Sequence, residues 1–364
     1  MANSAQTTIT TPAITPAASG PRWSKTTVQL ARRLKLNLVR ADELVWCRTR
    51  HGQRFRYLDE TGALLRERSV VARLAALAVP PAYEDVRYAP DPAAHLQAVG
   101  RDAAGRLQYR YHPDWDRVRE LRKARRLARI VDALPRVRRR VARILSGDEP
   151  SRDFALAAVV ELIARTAIRP GHESYTRIHG TRGATTLLKS HVSVEDDGIV
   201  LSFRAKGGKK VRKECDAERL VHAIGVLKSL PGRRLFQYRD DGGDIRAVSS
   251  AQVNAFLREI ADRAVSLKDF RTLLASAAVM DSLARVQPAG SERKRRKQVL
   301  DAVRETAEEL ANTPAICRKS YVHDTVVTAF ENGMLEKFAV TLKSCRSAAG
   351  KEKILAQVIA AAVR

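Results

Sequence analysis

The sequence is poor in the residues on which cofactor and metal chemistry usually rests. Its 364 residues hold four cysteines, Cys47, Cys215, Cys317 and Cys345, far apart and without a CxxC pair or a zinc-ligand spacing. They read as free thiols in a reducing compartment. The eight histidines form no HExxH motif. Neither GxxxxGK[ST] nor GxGxxG occurs, so a P-loop or a Rossmann cofactor site has no support. The chemistry is therefore expected to need no cofactor, nucleotide or tightly held metal. No apolar run is long enough for a transmembrane helix. Acidic residues are also short, with 40 Asp+Glu against 66 Lys+Arg and a net charge of +26.

That excess is the footprint of a polyanionic partner, most often nucleic acid. An anionic membrane is the competing partner, but the basic residues are spread along most of the chain rather than gathered in one block. A hydrophobic content of 45% suffices for real cores, and the length suggests two or three domains. The expected fold class is α+β: a small mixed, β-rich N-terminal domain and a larger, mainly α-helical domain with a three-stranded antiparallel sheet.

The first 21 residues carry no charge and are rich in Ala, Thr and Pro, which reads as a disordered tail with neither a signal nor a transit peptide. Residues 22–115 form the expected N-terminal domain. In it, β-type residues flank a His51-Gly52 turn, Arg66–Leu77 is helical, and Ala103-Ala104-Gly105 turns between two short strands. The second of these strands places Tyr109 and Tyr111 on one face, Gln108 and Arg110 on the other. Gln can read a base edge and Arg can meet a phosphate or a guanine.

Residues 116–364 form the expected second domain. It opens with a very basic helical run, residues 117–145, which Pro135 is expected to divide in two. An apolar helix, Phe154–Ile168, leads into IRPGHESY, with Arg169 where the chain leaves the helix. Three strands follow, with turns at Asp196-Asp197-Gly198 and in AKGGK, the latter carrying Lys206. From Asp216 the pattern is helical to the end, including KDFRT, with Lys268 and Arg271 on one face, and a further helix over Thr325–Val340. SERKRRK, from Ser291, is a linker or a phosphate contact. In NTPAICRKSYVHD, Asn312-Thr313-Pro314 signals a helix start. The helix is expected to carry Cys317, Arg318 and Tyr321. A tyrosine beside cations in so basic a protein is a candidate nucleophile for phosphate chemistry.

Taken together, IRPGHESY, GATTLLKSHV, FRAKGGK, KDFRT and NTPAICRKSY resemble the type IB DNA topoisomerases, in particular the small poxvirus-like form found in bacteria. GRDAAGRLQYRYH is similar to the DNA-binding strand of that family's N-terminal domain. The resemblance covers roughly residues 35–340. It implies a clamp around double-stranded DNA, a monomer acting in the cytoplasm at the nucleoid, and relaxation of supercoils of either sign. It also implies a 3′-phosphotyrosyl intermediate, reached without ATP or metal. Tyr321 matches the nucleophile, Arg169 and Arg271 the two arginines that hold the phosphate, and Lys206 the general acid. Asn312 stands where poxvirus and eukaryotic members have histidine, and bacterial members are similar in having Asn. Gln108, Tyr109, Tyr111, Tyr175 and Lys268 match DNA contacts. His172 departs from the poxvirus pattern, which has lysine three residues after the first arginine.

Two other readings remain open. A tyrosine recombinase or integrase uses a similar domain, but its pattern places a histidine shortly before the second arginine, and KDFRT has none. A non-catalytic DNA-binding protein that keeps the fold would bind DNA without any covalent complex.

Overall fold

The computed structural model describes residues 23–195 and 198–363. The expected tail, 1–21, and most of the turn expected at Asp196-Asp197-Gly198 lie outside the described residues. The chain divides into two compact units between Arg122 and Lys123.

In the first unit, α1 (Lys25–Arg33) starts at Ser24, whose hydroxyl accepts from the Thr27 amide. Strands β1 (Trp46–His51) and β2 (Arg54–Leu58) form a hairpin about Gly52. After α2 (Arg68–Ala76) come β3 (Glu84–Tyr88), β4 (Leu96–Arg101) and β5 (Leu107–Tyr111). The five strands pair antiparallel in the order β2-β1-β3-β4-β5, so β5 is an edge. Leu74 of α2 packs on Tyr57, Val86, Tyr88 and Ala98. A second cluster gathers Leu30, Ala31, Leu36, Trp115 and Val118.

α3 (Pro113–Ile144) runs unbroken through Pro135, contrary to the expected division into two helices. Leu127, Ile130, Leu134, Val137, Val141 and Leu145 continue the spacing of three and four across the proline and are all buried. Pro135 itself is exposed, so water can serve the carbonyl that its missing N–H leaves free. Packing of the apolar stripe outweighs the lost hydrogen bond.

In the second unit, α4 (Arg152–Thr166) lies at the centre, buried continuously from Phe154 to Ile163. Its one charged residue there, Glu161, accepts from Arg165 Nε at 2.7 Å. α5 (Glu173–His179) leads to β6 (Val192–Glu195), β7 (Gly198–Arg204) and β8 (Lys210–Asp216), a three-stranded antiparallel sheet in that order. α6 (Glu218–Ser229) precedes a small hairpin, β9 (Gln237–Arg239) and β10 (Ile245–Ala247). The remainder is helical: α7 (Ser250–Ala261), α8 (Leu267–Leu283), α9 (Glu292–Glu309), α10 (Pro314–Ser320), α11 (Asp324–Glu331), α12 (Glu336–Ser344) and α13 (Ala348–Val363). The architecture is mixed α+β, with a β-rich N-terminal region and a helical second part.

Three local expectations need correction. Thr325–Val340 is two helices, because Asn332-Gly333 interrupts it with Gly333 at φ +76°. SERKRRK is no linker: Ser291 caps α9 and the basic residues form its first turns. α10 ends at Ser320, so Tyr321 is not inside the helix with Cys317 but at its C-cap, with φ −126° and ψ −34°.

Candidate active site

The site is built from the ends of helices and one tight turn. α4 stops at Ala167, which takes a left-handed conformation (φ 52°), and the chain then leaves through Ile168, Arg169 and Pro170. Ala184 N and Thr185 N donate to the carbonyls of Arg169 and Pro170, both at 2.8 Å. Gly183 makes this possible: a Cβ there would sit 2.4 Å from the Arg169 carbonyl oxygen and 2.5 Å from the Gly171 nitrogen.

α8 supplies the second arginine. Asp269 folds back to accept from Ser266 N and Oγ, closing a capping box. Phe270 enters the core, Lys268 stays exposed, and Arg271 points inward with 2% of its surface accessible. Its Nη1 donates to the Ala167 carbonyl and its Nη2 to the Leu310 carbonyl. Burial pulls the Arg271 pKa below its ordinary value, the Tyr321 oxygen opposes that shift, and Arg169 adds to it. An arginine starts so high that it stays charged. Its Nε is buried and has no hydrogen-bond partner among the described residues.

The third contribution comes from residues 310–313. Ala311, like Ala167, is left-handed (φ 50°). The two alanines turn their carbonyls toward the arginines: Ala311 O accepts from Arg169 Nη1 as Ala167 O accepts from Arg271. Asn312 is buried; its Oδ1 accepts from Arg169 Nη2, while its Nδ2 has no partner among the described residues.

Tyr321 closes the set. Its ring has the Arg271 guanidinium carbon at 4.8 Å and the Lys268 Nζ at 5.9 Å from the centroid. Its backbone is gripped by Ser276, whose buried hydroxyl donates to the Tyr321 carbonyl (3.1 Å) and accepts from the His323 amide (3.0 Å). Lys123 of α3 donates to the Val322 carbonyl.

Lys206 rides the turn between β7 and β8, where Gly207 and Gly208 are both left-handed (φ 77° and 74°). It is exposed, and its Nζ lies 5.4 Å from the centroid of the Tyr175 ring. An open pocket of about 400 Å³ brings together Arg169, Lys206, Arg271 and Tyr321 with Tyr175 and Lys268. Among the described residues its wall has no carboxylate, and the arginines and lysines that line it are positive. Asn312 joins through Arg169. His172 is engaged locally, accepting from the Ser174 amide as the cap of α5.

The other expected contacts lie in the first unit, on edge strand β5. Tyr109 and Tyr111 stack at 6.1 Å with 17° between ring planes, and Tyr111 stacks in turn on Trp115. Tyr109 is 47% exposed. Gln108 Nε2 donates to Asp102, which also takes Arg106. Sequence reasoning missed Ser276, Lys123 and Lys209, whose Nζ donates to the Asn312 carbonyl at 3.0 Å. Backbone-directed contacts of this kind leave no motif; only the position of Lys209 in AKGGK gave a signal.

Such a cationic pocket around a tyrosine suits chemistry on a phosphodiester, and comparison with known proteins points the same way. A family model described as the catalytic core of eukaryotic DNA topoisomerase I matches residues 114–348, and one described as the N-terminal domain of bacterial DNA topoisomerase IB matches residues 54–102. The chain is 28% identical over 269 residues to the DNA topoisomerase 1B of Acanthamoeba polyphaga mimivirus, covering 72% of this chain and 80% of the relative. It is 24% identical over 237 residues to the DNA topoisomerase I of monkeypox virus and 23% to the DNA topoisomerase 1B of vaccinia virus (strain Copenhagen), covering 63% of this chain and 70% of each relative. With the catalytic-core match spanning well over half of its length, the chain belongs to the type IB DNA topoisomerases and is an enzyme that acts on DNA.

Proposed function

We propose that the protein relaxes positive and negative supercoils through a transient 3′-phosphotyrosyl bond formed by Tyr321. The observation that carries this reading is the position of the Tyr321 ring beside Arg271 and Lys268, in a pocket shared with Arg169 and Lys206. The Tyr321 hydroxyl gives up its proton to solvent as its oxygen attacks phosphorus in line. A Tyr–O–P bond forms, the P–O5′ bond breaks, and the 5′-oxygen leaves.

Negative charge grows on the non-bridging oxygens as this happens. Arg169 and Arg271 meet it with fixed guanidinium donors, and the unpartnered Nδ2 of Asn312 adds a neutral one. Carbonyls of Ala167, Leu310 and Ala311 hold the two arginines before DNA arrives, so little reorganisation is left for the reaction. An alkoxide is a poor leaving group, and Lys206 delivers the proton to O5′. Its exposed place on a glycine-rich turn suits that reach.

The free 5′-hydroxyl strand rotates about the intact strand, and the reverse reaction reseals the nick. The phosphodiester's energy stays in the phosphotyrosyl ester, so the cycle calls for no ATP. The cationic wall supplies the charge stabilisation that a metal could otherwise provide. Both units engage the duplex, the first through Gln108, Tyr109 and Tyr111 on β5, the second through Tyr175 and Lys268. The enzyme acts as a monomer at the nucleoid.

The test is a duplex with one strand labelled at its 5′ end, trapped by denaturation. The label is expected on protein, at Tyr321, with a free 5′-hydroxyl on the released fragment. Label attached when only the 3′ end is marked would reverse the polarity. Tight binding with no covalent complex would favour the non-catalytic reading.

A further inference from the structure

We infer that Lys209 is a positioning residue that locks the turn bearing Lys206 to the segment bearing Asn312. This rests on the catalytic roles proposed above. The turn Ala205–Lys209 is closed at its base by two hydrogen bonds, Ala205 N to Lys209 O at 2.8 Å and Gly208 N to Ala205 O at 3.0 Å. The backbone of Lys209 is therefore fixed relative to that of Lys206. Its side chain then crosses to a segment 103 residues away, where Nζ donates to the Asn312 carbonyl at 3.0 Å.

Asn312 is already held from its other side, because its Oδ1 accepts from Arg169. Lys209 thus completes a chain of contacts: the Lys206 turn, Lys209, Asn312, Arg169. Among the described residues, no other hydrogen bond or ion pair joins the turn directly to residues 310–313. Lys206 and the Asn312 amide must act on opposite parts of one phosphate, the leaving oxygen and a non-bridging oxygen. A cation donating to a carbonyl is among the stronger neutral-acceptor hydrogen bonds, and sub-ångström errors in such a site are costly. Lys209 contributes by keeping the two segments in register, not by touching DNA.

The test uses the full-length protein with Lys209→Met and Lys209→Arg, read by single-turnover cleavage of a saturating duplex and by duplex affinity across salt concentrations. Lys209→Met is expected to slow cleavage about tenfold, with affinity and salt slope unchanged and Lys209→Arg restoring most of the rate. In an Asn312→Ala background the Lys209→Met effect should shrink to about twofold, since the carbonyl that Lys209 holds remains but the side-chain amide it positions is gone. A 5′-bridging phosphorothiolate, whose thiolate leaves without a proton, should also recover part of the Lys209→Met defect. The inference is overturned if Lys209→Met weakens binding with a shallower salt slope at normal cleavage, or if the two substitutions simply multiply. If Lys209→Met proves unstable, Lys209→Ala in both backgrounds carries the same cycle. Failure of wild type to form any covalent complex would instead sink the proposed function.

Discussion

The Asn312 amide turns its oxygen toward Arg169: Oδ1 accepts from Nη2, and the buried Nδ2 finds no partner among the described residues. One contact therefore decides which end of the amide is offered as a donor. Asn312→Ala should lower the cleavage rate by about 10²-fold, the usual loss for one donor to developing oxyanion charge. Asn312→His keeps a donor and should retain activity. Asn312→Asp should be worse than Ala, because its carboxylate would pair with Arg169 and cancel the charge the phosphate needs. Single-turnover cleavage of the four proteins checks the order; equal rates for Asn, His and Ala would remove Asn312 from the site.

Arg271 should not tolerate lysine. Its two Nη groups serve two carbonyls, Ala167 and Leu310, from a 2% exposed position. A lysine ammonium cannot span both while facing the pocket, and it is costlier to bury. Arg271→Lys should lose cleavage by at least about 10²-fold and destabilise the fold by about 2 kcal/mol. Cleavage rates and urea unfolding measure both.

Gly183 offers a test that removes no charge. A Cβ at this position would collide with backbone at Arg169 and Gly171. Gly183→Ala should displace Arg169, slow cleavage, and cost about 1–3 kcal/mol through overpacking. Gly207→Ala, in the Lys206 turn, meets nothing within 4 Å but has φ +77°, so it should cost only about 1 kcal/mol, for the left-handed backbone.

The N-terminal unit should weaken in acid through His95. Its ring is buried against Trp23 and Trp115, and burial pushes its pKa down to about 4 from an ordinary 6.5. The folded form keeps the ring neutral while the unfolded chain takes up a proton below about 6.5. The stability tied to His95 is thus fully present above that pH and is lost as pH falls toward 4. All three tryptophans, Trp23, Trp46 and Trp115, lie in this unit, so their emission during urea unfolding at pH 7 and pH 5 reports it selectively. His95→Phe should flatten the difference between the two pH values.

The β5 ribbon, the three-stranded sheet and the helix ends around Arg169 and Arg271 were legible because their signals are local: alternation, turn glycines, an apolar run that stops. The motifs also told which residues would meet, although they are spread over 152 positions from Arg169 to Tyr321. What escaped was decided by tertiary packing. Pro135 sits in an unbroken helix because the buried stripe from Leu127 to Leu145 holds it there. Tyr321 leaves the helix at its C-cap, where Ser276 and Lys123 grip the backbone beside it. Neither residue belongs to a motif, since a bond to a carbonyl can be made from almost any neighbouring helix. Left-handed Ala167 and Ala311 were equally silent, because alanine carries no sequence signature for that conformation.

The most direct test of the mechanism is relaxation of supercoiled plasmid in EDTA without ATP, comparing wild type with Tyr321→Phe. Relaxation of positive and negative supercoils by wild type alone is the predicted result, and it would assign strand passage to the Tyr321 hydroxyl. Equal relaxation by Tyr321→Phe, in a preparation free of host topoisomerase, would contradict the assignment of the nucleophile. Plasmid binding by both proteins with relaxation by neither would contradict the proposed cycle as a whole.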